Sequence, residues 1–366
     1  MKHLLKKEEN TAPVEAAALS QDAEWLESQV VYYPAADGLK FWLMPFVCFV
    51  CFGLPTKYGG NITALCGFAP LCFFILCGFF NLTEDGNEQK MLKRRIKDCA
   101  ILFLVMFVIC LAVNVLYYLL TGMKVSTLFS ALLSKRVLFN FFILCAWPFP
   151  MGESIWFIQS LLYAYIILYI LNGLKLRRLR PVLLIVCALL MLLTGELAGL
   201  VRFRFLGYGY FPPNVFTRTL PYLLLGSLMR KNMERLCQVK AWIYLLMVPV
   251  GFALAYGEFS LLSRFGLLIT TSHAVGLGLA AFGICAWVIF FMTDTMPDYF
   301  CVKGRLFARI IYISSQLIAF LLIVPMSFFF PTGAYIVQFL GGLIVYPVCL
   351  LAAVLLDNAV FSISPV

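Results

Sequence analysis

Charge is scarce in this chain: 13% of its 366 residues are Asp, Glu, Lys or Arg, while 63% are hydrophobic. A water-soluble domain has nowhere to bury that much apolar surface, so lipid is the solvent expected for most of the chain. Histidine is scarcer still, with His3 and His273 as the two present. That excludes a histidine-rich metal site, and "CFVC" at Cys48–Cys51 has a metal-site spacing without companion ligands. No long apolar core follows the N-terminal basic residues, which argues against a secretory signal. Internal repeats and low-complexity tracts are missing too. So are the paired, Gly/Pro-broken helices that mark an inverted-repeat transporter.

What the chain does have is an excess of cations, 28 Lys and Arg against 18 Asp and Glu, for a formal net charge of +10. A nucleic-acid binder gathers such residues on one soluble face. Here they sit between apolar runs, which is what membrane topology asks for, and no nucleic-acid partner is expected. The runs predict spans near 39–54, 62–80, 99–120, 154–171, 181–201, 218–230, 241–257, 265–293, 310–330 and 335–356. Ser126–Trp147 is also apolar, but Lys135, Arg136 and Asn140 interrupt it. It reads as a re-entrant or interfacial segment packed on the bundle, and if it spans instead, the topology downstream inverts. With the N-terminus inside, Lys57, Lys124, Lys135, Arg136, Arg202, Arg204, Arg218 and Arg264 are the cations left outside, a bias that follows the positive-inside rule. The expected fold is all-α: a polytopic membrane helix bundle of about ten transmembrane helices with both termini cytoplasmic. A polar cytoplasmic tail covers 1–36, the transmembrane domain 37–356 and a short cytoplasmic tail 357–366. The thirteen cysteines lie mostly inside apolar runs, act there as small hydrophobes, and suggest no disulfide framework.

Several segments carry a resemblance when taken in order. "DGLKFWLMPFV" (37–47) resembles the opening helix of the acyltransferase-3 family of integral membrane acyltransferases. "FAPLCFFILCGFF" (68–80) is similar to that family's second helix, and "KMLKRRIKD" (90–98) to the basic loop after it. "SIWFIQSLLYAYIILYI" (154–170) resembles its Trp-Phe-Leu helix, and "FTRTLPYLLLGSLMRK" (216–231) the Arg-containing segment that leads to Pro-Phe-Phe-Leu-Leu-Gly. The resemblance runs from residue 37 to about 330. It implies transfer of an acyl group, often acetyl, from a cytoplasmic coenzyme A thioester to a hydroxyl at the outer face. It also implies an arginine in the first helix followed eleven positions on by a histidine. Eleven residues are about three helical turns, so both side chains share one face about 16 Å apart along the axis. A cation can then hold the donor while an imidazole serves as base. In this chain Lys40 and Cys51 stand at those two places. Cys77 replaces a serine of the second helix, and Leu321 and Val324 stand where a Tyr-Leu-x-His ending is usual.

Candidate residues follow from both lines of reading. His273, in the eighth predicted span, is either a displaced general base or a histidine bonded to a neighbouring helix. Arg218 either steadies an acyl oxyanion or an acidic acceptor, or snorkels at the interface. Cys51 is a nucleophile only as a thiolate, which apolar burial disfavours. Lys40, Lys93, Arg94 and Arg95 are candidates for the donor's phosphates, against a plain topological role. Glu196 invites pairing with Arg202, Arg204 or Arg218, and Trp156 beside Glu153 reads as a membrane-surface anchor.

Two functions therefore stay open. One is a membrane O-acyltransferase of a bacterial plasma (inner) membrane, with acetyl-CoA or a related acyl-CoA as donor substrate, no bound cofactor and no metal. Its acceptor would be a glycan or lipid-linked sugar. The other is a catalytically inactive relative serving beside envelope-biosynthesis proteins.

Overall fold

The structure, a computed structural model, describes residues 34–52, 57–82, 88–145, 155–194, 215–264, 275–292, 296–329 and 343–355. Every regular element among them is a helix. In hydrocarbon a backbone must satisfy its own N–H and C=O groups, and a helix does so within one segment. The elements are α1 (Pro34–Phe52), α2 (Lys57–Cys66), α3 (Phe68–Asn81), α4 (Glu88–Leu120), α5 (Val125–Leu132), α6 (Lys135–Leu144), α7 (Ile155–Gly173) and α8 (Arg180–Thr194). A single wide turn of π-helix, Val215–Thr219, then leads into α9 (Leu220–Lys231), followed by the short α10 (Met233–Leu236), α11 (Ala241–Arg264), α12 (Val275–Phe291) and α13 (Asp298–Phe329). A last apolar helix, α14, covers Leu343–Leu355.

Among the described residues, five stretches are long and apolar enough to cross a bilayer: Pro34–Cys51, Ile62–Asn81, Glu88–Leu120, Ile155–Gly173 and Ala241–Leu261. The count reaches six if the bent pair α5–α6 is one span. The expected spans at 181–201, 265–293 and 335–356 lie partly outside the described residues, and α8, α12 and α14 cover the described parts of them. α1 begins at Pro34, ahead of the expected 39–54 span, and Pro34 is tolerated in that first turn, where its missing N–H has no intrahelical partner anyway. The expected span at 99–120 is the apolar part of a longer helix. α4 has 33 residues, about 50 Å.

The helices meet through small residues, as they must where lipid removes the hydrophobic drive for association. α3 crosses α9 at Gly78 and Gly226, so closely that a Cβ on Gly78 would lie 1.9 Å from the Leu223 carbonyl oxygen. α11 crosses α12 at Gly251 and Gly276, each packed on the other helix's backbone. α1 lies along α13 at Gly304, whose Cβ position falls 2.1 Å from the Asp37 carbonyl oxygen. Phe41, Met44 and Cys48 of α1 join Phe307 and Ile311 of α13 and Val345 and Cys349 of α14 in one apolar cluster.

α4 and α7 run antiparallel, since Glu88 at the start of α4 pairs with Arg177 and Arg180 just past the end of α7. The chain between them therefore leaves and rejoins the same end of that helix pair. α5 and α6 bend by 64° at their junction, where Ser134 caps α6 by accepting from the Val137 N–H. The ring of Phe141 in α6 reaches back only to Phe103 and Phe107, about halfway along α4. Gln159 of α7 donates to the Phe141 carbonyl at 2.8 Å. These contacts accord with a segment packed on the bundle.

Candidate functional site

Two polar groupings occupy the interior, one near each end of α1. The first surrounds Lys40. Its ammonium pairs with Asp37 at 2.5 Å and stands 5.9 Å from the centre of the Phe80 ring. Beside it, on α3, the Cys77 thiol has Lys40 and Arg95 as electrostatic neighbours and shares a hydrogen bond with the Tyr165 hydroxyl of α7. Asn81, one turn beyond Cys77, donates to the same hydroxyl at 2.7 Å, while its own buried carbonyl oxygen has no hydrogen-bond partner. Of the four cations proposed for the donor, the fold brings Lys40 and Arg95 to one thiol, whereas Lys93 and Arg94 are exposed. A helix presents one face per 3.6 residues, so consecutive cations on α4 cannot all turn inward.

An ionic latch lies at the same end. Glu88 is fully buried. Arg180 approaches its carboxylate to 2.5 Å and Arg177 to 3.4 Å, and Arg177 also donates to Asn172. Arg230, at the end of α9, reaches the Phe79 carbonyl at 3.4 Å.

The second grouping surrounds Arg218, near the Cys51 end of α1. Arg218 sits in the π turn that precedes α9 and is 7% exposed. A π turn admits one extra residue, re-aims the side chains around it, and is a frequent feature of functional sites. The guanidinium carbon lies 3.7 Å from the centre of the Trp156 ring, a close cation–π stack. Trp156 is braced edge-on by Phe74 and Phe157. The electrostatic neighbours of Arg218 are Tyr222, one turn ahead, and Cys51. Thr219 donates to Ser160 at 2.8 Å, tying the π turn to α7. The Nε of Arg218 is buried with no acceptor, and no carboxylate among the described residues forms an ion pair with it.

Of the two readings of Arg218, the snorkelling one does not fit, because the side chain is covered by neighbouring helices and stacked on Trp156. Trp156, read from sequence as a membrane-surface anchor, is half-buried against that guanidinium. His273, Glu196, Glu153, Arg202 and Arg204 lie outside the described residues. Leu321 is exposed on α13, as befits a lipid-facing residue. All thirteen cysteines are free thiols. Asn81, Glu88, Tyr165 and Tyr222 were not singled out from sequence. The available signal was a polar side chain inside or bordering an apolar run, diluted here by Asn114 and Gln159, which satisfy that test yet bond to backbone carbonyls.

No protein-family model, curated protein or solved structure matches this chain.

Proposed function

We propose that this chain is an integral membrane O-acyltransferase of the acyltransferase-3 kind. It would take an acyl group, acetyl by preference, from a cytoplasmic coenzyme A thioester and deliver it to a hydroxyl of an extracytoplasmic glycan or lipid-linked sugar. One observation carries the reading. α1 links two interior polar groupings, one where Cys77 has Lys40 and Arg95 as electrostatic neighbours and one where Arg218 has Cys51 as a neighbour. The eleven residues between them set donor and acceptor ends about 16 Å apart. Lys40 and Arg95 hold the donor's phosphates. His273 takes the proton of the attacking hydroxyl, the hydroxyl oxygen bonds to the thioester carbonyl carbon, and coenzyme A leaves as its thiol. The ten-span arrangement with both termini cytoplasmic, in a bacterial inner membrane, belongs to the same proposal. It puts the latch arginines and Lys40 on the cytoplasmic side, where positive charge is retained.

The test is acyl transfer by membranes holding the full chain. Loss of a general base costs about 10²–10⁴-fold in rate, so His273→Ala will nearly silence transfer while Cys51→Ala leaves it intact. The reverse outcome assigns the chemistry to a Cys51 thiol, and activity unchanged in both variants removes the displaced-base reading. Lys40→Gln will abolish transfer and Lys40→Arg preserve it, since the guanidinium fork suits phosphate. Equal activity of Lys40→Gln and the parent would take Lys40 out of the site.

A second reading, a catalytically inactive relative within an envelope-polymer complex, is favoured by one feature. The residue facing Arg218 is Cys51, where the family resemblance places a histidine. Transfer absent in the parent but gained on changing Lys40 to Arg and Cys51 to His together would select it.

Topology is checked separately. Cysteines introduced at Asn87 and Lys175 will resist an impermeant thiol reagent in intact cells, while those at Asn214 and Thr332 will label. Labelling at position 87 before permeabilisation would overturn the arrangement, because the five cations of 90–97 would have crossed the membrane.

A further inference from the structure

Arg218 is an expensive residue to keep where it is. A buried guanidinium gives up its hydration, and among the described residues the face of Trp156 at 3.7 Å is the closest compensation, with no carboxylate paired to it. Its Nε is buried without an acceptor, although buried donors are otherwise almost always satisfied. Glu258 is committed elsewhere, accepting from the Gly276 backbone N–H at the start of α12, and Glu88 is held by Arg177 and Arg180. Around Arg218 the fold supplies instead a thiol, a phenol and hydroxyls: Cys51 and Tyr222 as electrostatic neighbours, with the Thr219–Ser160 pair beside it. These groups suit the uncharged part of a ligand and leave the guanidinium uncompensated.

We infer that Arg218, stacked on Trp156 and presenting an unpaired buried Nε, is the binding site for a phosphate or carboxylate group, so that the molecule bound near the Cys51 end of the bundle is an anion. Resting on the acyltransferase reading, that molecule is the acceptor: a lipid-linked sugar phosphate or an acidic sugar, and not a neutral glycan. The stack on Trp156 orients the guanidinium plane, so its N–H edge is presented to the ligand without reordering on binding. The cost of an uncompensated cation is borne by the empty protein and relieved when the anion binds, the usual trade between stability and function at a site.

An unpaired buried arginine makes an uncommon demand on stability. A structural arginine, paired within the fold, loses stability when replaced by an apolar side chain. An unpaired one gains it. Thermal unfolding of the full chain in a neutral maltoside detergent, with no acyl-CoA present, is compared for the parent, Arg218→Met, Arg218→Lys and a control, Arg230→Gln. Each is measured alone and with octyl phosphate, octyl glucuronide or the neutral octyl glucoside. Expected are a Tm for Arg218→Met above that of the parent by about 3 °C or more, and a rise in the parent's Tm with an anionic probe but not with the glucoside. That rise should be abolished in Arg218→Met, weakened in Arg218→Lys and kept in Arg230→Gln. A response confined to octyl phosphate assigns the anion to a phosphate, and one confined to the glucuronide assigns it to an acidic sugar.

A lower Tm for Arg218→Met, or a parent that answers none of the anionic probes or answers the glucoside equally, would overturn the inference. So would an anion response unchanged in Arg218→Met. Because no donor is present, the outcomes separate cleanly. Anion binding at Arg218 without any acyl transfer by the parent would sink the acyltransferase reading and keep the site. Acyl transfer without anion binding would do the opposite.

Discussion

Gly226→Val will leave little or no folded protein. A Cβ at Gly226 would lie 2.0 Å from the Ile75 carbonyl oxygen and 2.8 Å from the Phe79 nitrogen. These are backbone atoms of α3, so no rotamer change can make room, and the two helices must separate. On α3 the matching residue is Gly78, against Leu223 of α9. Separation would open the layer that buries Phe74, Phe79, Leu223 and Leu224. Forcing extra methyl groups into a packed core typically costs about 1–3 kcal/mol, and here an entire helix contact is lost with it. Gly226→Ala already adds the offending Cβ and will fail nearly as badly. The contrast is Gly257→Ala on α11, where nothing lies within 4 Å of the added carbon and helix propensity favours alanine by about 1 kcal/mol. Yield of monodisperse protein in detergent and its Tm decide the matter. Normal yield and Tm for Gly226→Val would mean that α3 and α9 do not cross at these glycines.

Glu88→Ala will be the most damaging change among the ionic groups. It leaves Arg180, whose side chain is 11% exposed, without the carboxylate it approaches, while Arg177, 38% exposed, can turn to solvent and adds little to the loss. Breaking a buried pair by removing one partner costs about 3–5 kcal/mol, because the remaining charge stays desolvated. Glu88→Gln keeps the shape but not the charge, and should recover only part of the loss. The pair links the start of α4 to the turn after α7, so the harm should also appear as faster proteolysis near Arg177 and Arg178. A double-mutant cycle with Arg180→Ala provides the check. Losses that simply add in the double variant would show that the two side chains do not interact.

Some of this molecule is legible residue by residue. Hydrophobicity is summed over one segment at a time, so the apolar runs locate α1, α3, α4, α7, α9 and α11 with no knowledge of neighbours. A capping residue marks a break inside one run, as Ser134 does between α5 and α6. The interruption of 126–147 by Lys135, Arg136 and Asn140 likewise anticipated a segment unlike the others, found as the bent pair α5–α6. Lys40, Lys93, Arg94 and Arg95 as donor candidates, and Arg218 as a site candidate, came from charge placement and the ordered resemblance; that Lys40 and Arg95 share one thiol did not.

What the sequence could not decide is which faces meet. In water a helix declares its buried face by polarity. In lipid both faces are apolar: Ile101, Leu104 and Val108 of α4 are exposed, while Met106 and Cys110 on the same helix are buried. Helix partners are then chosen by shape, through contacts such as Gly78 with Leu223 or Gly251 with Ala280, which lie far apart in sequence and carry no compositional mark. The functional geometry depends on those choices. Trp156 and Arg218 are 62 positions apart, and only the docking of α7 beside the π turn brings the two side chains into one stack and decides between the two readings of Arg218. Glu88 meets Arg180 across 92 positions for the same reason. The sequence by itself determined that several segments are apolar enough to span a membrane and where most of the described helices lie, because transfer into lipid is a local, additive property. Tertiary packing alone decided which cations are buried and what they face, because desolvation and pairing depend on neighbours supplied by distant parts of the chain.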